Sequence, residues 1–237
     1  MLQRLGLRQL AYDYRDDHVP TFDDEISAMQ QHGIDIVAWW FPVTVDDAAR
    51  HLLAVFERRA IQPQLWVSGW DNPGPNDTAE SFLAREVARI REIALAAQAI
   101  GCTVGLYNHG GWFGRIDNQL AIIERLHAEG LRNVGIVYNF HHGHDDIADF
   151  PALWRRMQSH VLAINLNGMV RDGERVGRKI VTLGDGEEEL ALMRVIQTSG
   201  WRGLVGILDH QPEVDAEVSL RANLAGLRRL RASLAAE

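Results

Sequence analysis

The chain of 237 residues lacks most of the groups that announce a function outright. Its single cysteine, Cys102, excludes an internal disulfide and any cysteine-based zinc spacing, and its place in an apolar run after Gly101 reads as a buried, inert thiol. Lysine is almost absent: Lys179 is the only one among 24 basic residues, which leaves little support for Schiff-base chemistry. No apolar run approaches the roughly 20 residues of a membrane span, and the amino terminus MLQRLGLRQLAYDY lacks the apolar core of a signal peptide. A cytoplasmic protein with no membrane partner is the expectation. The net charge of −8 is spread along the chain without a basic stripe, so nucleic acid is not an expected partner. There is no G-x-S-x-G elbow, no P-loop and no H-E-x-x-H, and no G-x-G-x-x-G opens a helix after the first apolar run.

What is present is a repeated alternation. With 46% hydrophobic residues and no low-complexity tract, the chain can bury a full core as one domain over residues 1–237. Short apolar runs at 7–12, 35–40, 64–67, 103–107, 134–139, 161–166, 180–183 and 204–208 read as eight strands, with helical periodicity in most of the gaps. This predicts an α/β protein, a single (β/α)8 TIM barrel. Thr21 is placed for a capping box, and Gly33 and Gly101 for helix stops. The segment 79–100 predicts a long helix with Phe82, Val87, Ile90, Ile93 and Leu95 on its apolar stripe. Residues 167–179, with three glycines and no apolar period, read as a loop.

In a barrel the active site lies where strands end, so the residues closing each run carry the functional reading. Trp39 and Trp40 close the second run, Trp66 the third with Trp70 following, and Tyr107, His109 and Trp112 the fourth. Asn139, His141, His142 and His144 close the fifth, Asn165 and Asn167 the sixth, Asp209 and His210 the last. Aromatic plates stack on sugar C–H faces, while amides and imidazoles donate to and accept from hydroxyls. These types together suggest a small-molecule sugar or keto-sugar ligand. Substrate-binding candidates are Trp39, Trp66, Tyr107, Trp112, Asn139, His141, Asn165, Asn167, Asp209 and His210, although any of the tryptophans could equally be core. His142 and His109 are the acid/base candidates, since imidazole titrates near working pH.

At these strand ends the sequence resembles the xylose isomerase-like TIM barrels, the sugar phosphate isomerase/epimerase superfamily. Y-N-H-G-G at 107–111 is similar to that family's E-N-H-G-G, N-F-H-H at 139–142 to its D-x-x-H, and I-N-L-N-G, containing Asn165, to its H-L-K-D. G-W-R-G-L-V-G-I-L puts Leu208 at the glutamate of G-Y-x-G-x-x-x-I-E, and L-G-D-G-E resembles P-G-x-G-E. The resemblance implies carbohydrate metabolism, an isomerase or epimerase acting next to a carbonyl, and a homodimer. It also implies a divalent-metal site, yet all four ligand positions are substituted here, by Tyr107, Asn139, Asn165 and Leu208. A Mg²⁺- or Mn²⁺-type carboxylate site is therefore expected to be absent. An imidazole zinc site from His109, His142, His144 and His210 is a second, less favoured reading, because adjacent strand-end side chains point apart. A keto-sugar lyase and a carbohydrate-binding pseudoenzyme are the functional alternatives.

Overall fold

The computed structural model describes residues 1–13, 15–69, 71–208, 210–211 and 213–236. Seven strands lie in one sheet in sequential order: β1 Gln9–Tyr12, β2 Asp35–Trp40, β3 Gln64–Val67, β4 Thr103–Tyr107, β5 Val134–Asn139, β6 Val161–Leu166 and β7 Leu204–Ile207. The helices are α1 Phe22–Gln31, α2 Asp47–Arg59, α3 Ala79–Ala99, α4 Ile116–Ala128, α5 Phe150–Met157, α6 Glu189–Thr198 and α7 Ala216–Ala235. Among the described residues, no helix is long and apolar enough to cross a membrane. The chain packs as two compact units, Met1–Ile136 and Val137–Glu237.

In the first unit β1 to β4 are parallel neighbours joined by helices, and their register decides which side chains share a face. Trp40 stands opposite Trp66, and Trp66 opposite Gly105, whose missing side chain leaves room for the indole. Trp39, one residue earlier, faces the other way. It is fully buried, stacked on Tyr12 at 3.9 Å and edge-on to Phe22 of α1 and Phe56 of α2. Burying an aromatic of this size contributes on the order of 2–3 kcal/mol.

Local chemistry explains the helix ends. Asp46 caps α2 by accepting from the Ala49 amide at 2.8 Å, and Thr78 and Ser81 form a reciprocal capping box on α3. The capping box expected at Thr21 is not formed. A 3₁₀ turn over Asp16–Thr21 runs straight into α1, Thr21 is not extended as a cap must be, and its hydroxyl donates to the His18 carbonyl at 3.0 Å. Gly33 and Gly101 do adopt the left-handed conformation expected where a helix turns back into a strand. On α3 the buried stripe is Phe82, Glu86, Val87, Ile90, Ile93, Ala94 and Ala97, and it excludes Leu95, which is exposed. The i, i+4, i+8 series sets that stripe, and two residues past Ile93 the helix has turned about 200°.

Every residue of β5 is buried, and in the second unit β6 pairs directly with β7. The strand expected at 180–183 is absent. Side chains and one loop amide satisfy the backbone there instead of a ladder: Lys179 O accepts from Asn167 Nδ2 at 3.0 Å, Val181 O from Gly168 N at 3.0 Å, and Leu183 N donates to Asn223 Oδ1 at 2.8 Å. Gly226 of α7 lies against the Leu183 carbonyl so closely that a Cβ would collide with it. Seven described strands therefore stand where eight were expected. The long irregular segment after β6 is a loop, as its glycines implied.

Candidate functional site

The strand ends carry two clusters, one in each unit. In the first, Trp66 Nε1 donates to Gln64 Oε1 at 3.0 Å, the Trp66 ring lies 4.5 Å from Trp40, and it stacks on Tyr107 at 6.0 Å. Tyr107 in turn stacks on His109 at 6.5 Å with 17° between the planes. Trp66 and Tyr107 are buried, whereas Trp40 and His109 are half-buried and form the accessible edge. Beyond His109 the Gly110–Gly111 pair takes positive φ, which only glycine adopts without cost. That turn brings the Trp112 amide 2.9 Å from Asn72 Oδ1.

The tryptophans fall in different places. Trp39 packs against Phe22 of α1 and Phe56 of α2 and is fully buried. Trp112 leans on Phe82 of α3 at 4.8 Å. Trp40 belongs to the Trp66–Tyr107–His109 cluster. Alternation along β2 puts Ile36, Ala38 and Trp40 on one face and Val37 and Trp39 on the other, and this is the signal that separates the two indoles.

In the second unit β5 ends at Asn139, whose Oδ1 accepts from the His141 amide at 3.0 Å and turns the chain into a 3₁₀ turn over Phe140–His142. The His141 ring lies 4.7 Å from His142 and 5.7 Å from His210, so three imidazoles meet. His141 is buried, His142 half-buried and His210 exposed. Gly143 is required by a close approach, because a Cβ there would run into the Tyr138 hydroxyl. That hydroxyl donates to Asp146 Oδ2 at 2.9 Å, and burial with the Asp146 charge holds it well above the ordinary tyrosine range.

The amides of β6 divide in role. Asn165 is buried opposite Gly206, where a Cβ would come within 2.5 Å of Asn165 Oδ1. Its Nδ2 has no hydrogen-bond partner among the described residues, a costly state for a buried donor. Asn167, expected in the site, instead spends its Nδ2 on the carbonyls of Gly168 and Lys179, at 2.8 and 3.0 Å, and anchors the loop. His144 does the same, with Nδ1 2.9 Å from Val170 O and Nε2 3.1 Å from Lys179 O. Glu189, in the first turn of α6, is buried and accepts from the amides of Met169, Gly184 and Gly186 at 2.9–3.0 Å. Asp209 and Trp70 lie outside the described residues.

Neither metal reading finds a matching donor set. Both nitrogens of His144 face carbonyl oxygens, which removes it from the imidazole zinc set. Among the described residues no group of three or more His, Cys, Asp or Glu could hold an ion. The four positions that resemble carboxylate-site ligands offer a phenol inside a ring stack, two neutral amides and an aliphatic side chain. These do not fit a hard divalent cation.

No protein-family model and no curated protein matches this sequence. Solved structures do match. The xylose isomerase domain protein from Alicyclobacillus acidocaldarius subsp. acidocaldarius is 21% identical with a TM-score of 0.64, covering 100% of this chain and 92% of its own. D-psicose 3-epimerase from Clostridium cellulolyticum H10, solved with D-tagatose, is 15% identical with a TM-score of 0.67, covering 98% and 91%. The IOLI protein, solved with a zinc atom, is 15% identical with a TM-score of 0.74, covering 97% and 90%. At these identities the likeness is one of fold: the chain has the α/β architecture of the xylose isomerase-like TIM barrels.

Proposed function

We propose that the chain is an isomerase- or epimerase-like enzyme acting on a sugar or keto-sugar by proton transfer next to a carbonyl. The observations that carry this reading are the His141–His142–His210 cluster and, at the end of β6, the buried, unsatisfied amide donor of Asn165. His142 is half-buried, with the buried His141 ring 4.7 Å away, and it takes the general-base role. It accepts the proton from the carbon next to the carbonyl, giving an enediolate; returning it to the neighbouring carbon, with the hydroxyl proton passing to the former carbonyl oxygen, isomerises the sugar, and epimerisation takes a second acid that protonates the opposite face of the same carbon. Negative charge then gathers on the carbonyl oxygen, and Asn165 Nδ2–H is the kind of preorganised donor that stabilises such an oxygen. Asn139, His141 and His210 are assigned to substrate hydroxyls. Trp66 and Tyr107 of the first unit, with Trp40, are by themselves a plate of the kind that stacks on sugars, and His109 beside Tyr107 is the second acid/base candidate.

The fold likeness to epimerases supports the same reading. Deuterium exchange into a panel of free and phosphorylated ketoses and keto-sugars in D₂O, followed by NMR, tests it. The wild-type chain exchanges the hydrogen next to the carbonyl of at least one sugar, and His142→Ala lowers that rate by about 10²–10⁴-fold. Asn165→Leu lowers it by about 10²–10³-fold while leaving sugar affinity within a few-fold. Exchange into no sugar, with Mg²⁺, Mn²⁺ or Zn²⁺ supplied in turn, overturns the enzyme reading. Saturable sugar binding in that same experiment would identify a carbohydrate-binding pseudoenzyme.

A further inference from the structure

On the helix-facing side of β6 and β7 the second unit carries an open groove of about 420 Å³, within the range of small-molecule sites. Its floor is apolar. Ile164 stands opposite Val205 across the two strands, and Leu166, Ile196 and Leu234 continue the same surface. Val205 is 56% exposed, unusual for an apolar strand residue in a parallel sheet, whose faces helices ordinarily cover.

The charge around this groove is one-sided. The residues that line it include Arg202 and Arg231 and no aspartate or glutamate, in a chain whose net charge is −8. Arg221 and Arg229 pair with Glu217 and Asp185. Arg202 and Arg231, which line the groove, have no carboxylate partner among the described residues, and Arg202 bonds only the neighbouring Trp201 carbonyl, at 3.4 Å. Two guanidinium groups without counter-charges at the rim of an apolar floor complement a molecule that is apolar along its length and anionic at one end.

We propose that this groove binds an aliphatic carboxylate, with its chain along Ile164, Val205 and Ile196 and its carboxylate on Arg202 and Arg231. The site is separate from the strand-end clusters, and the inference does not depend on the proposed sugar chemistry. Dodecanoate, below its micelle concentration, is the probe, and dodecyltrimethylammonium is the control of equal chain length and opposite charge. Titration calorimetry is expected to show one dodecanoate per chain and no saturable binding of the cation. Val205→Glu, and separately the double variant Arg202→Glu/Arg231→Glu, each weaken dodecanoate by about tenfold or more, with circular dichroism verifying the fold. Equal binding of the two amphiphiles, or dodecanoate binding unchanged in both variants, overturns the proposal. So does a concentration-dependent dimer in sedimentation that Val205→Glu abolishes while dodecanoate leaves it intact, since the groove would then be covered by a second copy.

Discussion

The two strand-end clusters are built on different physics. In the first unit Trp40, Trp66, Tyr107 and His109 hold one another by ring packing, and the Trp66 indole donates to Gln64. In the second unit the polar side chains hold backbone. Asn139 takes the His141 amide, Asn167 and His144 reach loop carbonyls, and Glu189 gathers three loop amides. Packing is non-directional and spreads its energy over a surface, whereas each of these hydrogen bonds fixes one atom of an otherwise irregular loop. The first arrangement makes a rigid plate. The second makes a positioned but locally releasable segment over residues 167–188.

That contrast can be broken most forcefully from the packing side. Trp66→Ala removes a buried indole from the centre of the plate and is expected to cost about 3–5 kcal/mol of global stability, read from denaturant midpoints. A cost below about 1 kcal/mol would mean that the ring cluster is not a structural unit. On the other side, Glu189→Ala strands three amides and is expected to cost about 2–3 kcal/mol, expressed chiefly as local opening. The loop carries exposed Arg171, Arg175 and Arg178, so trypsin reports its release directly. Rapid cleavage there, with the remaining chain resistant, is the expected pattern, and cleavage spread evenly over the chain would contradict it.

The smallest effect sharpens the comparison with pH. Burial, aided by Glu25 and Asp13, pushes the Tyr12 hydroxyl up from 10.0 to about 12. The folded state thus holds this proton more tightly than the unfolded chain does. The associated stability is fully present below pH 10 and is lost as pH rises towards about 12. Denaturant midpoints measured across that window should fall in the wild type and fall less steeply in Tyr12→Phe. An unchanged slope would show that the Tyr12–Trp39 stack does not couple to titration.

Much of the architecture was legible because strand length and apolar content are local properties. Asp35–Trp40, Gln64–Val67, Thr103–Tyr107, Val134–Asn139 and Val161–Leu166 have the bounds that their apolar runs imply. Residues 180–183 have the same composition and are not a strand: the Val181 carbonyl is taken by the Gly168 amide and the Leu183 amide by the Asn223 side chain, in place of a ladder. The candidate site was legible as residue types at strand ends, and less so as roles. Trp39 and Trp40 are adjacent and chemically identical, and only the alternation of β2 sends one to the helices and the other to Trp66. Asn165 and Asn167 share a face of the chain, yet one amide keeps a buried donor unspent and the other is consumed by the loop.

By itself, then, the sequence determined an α/β chain of sequential strands with aromatic, amide and imidazole groups at their ends, since periodicity and composition are written along the chain. Tertiary structure decided what those groups do. A side chain's role depends on which partners arrive from distant segments: Glu189 became a clamp because Met169 and Gly184 reached it, and His144 became a loop anchor because two carbonyls met its ring. The exposed groove beside Val205 is likewise invisible in the run L-V-G-I, because coverage by neighbouring helices is a property of packing and not of the strand.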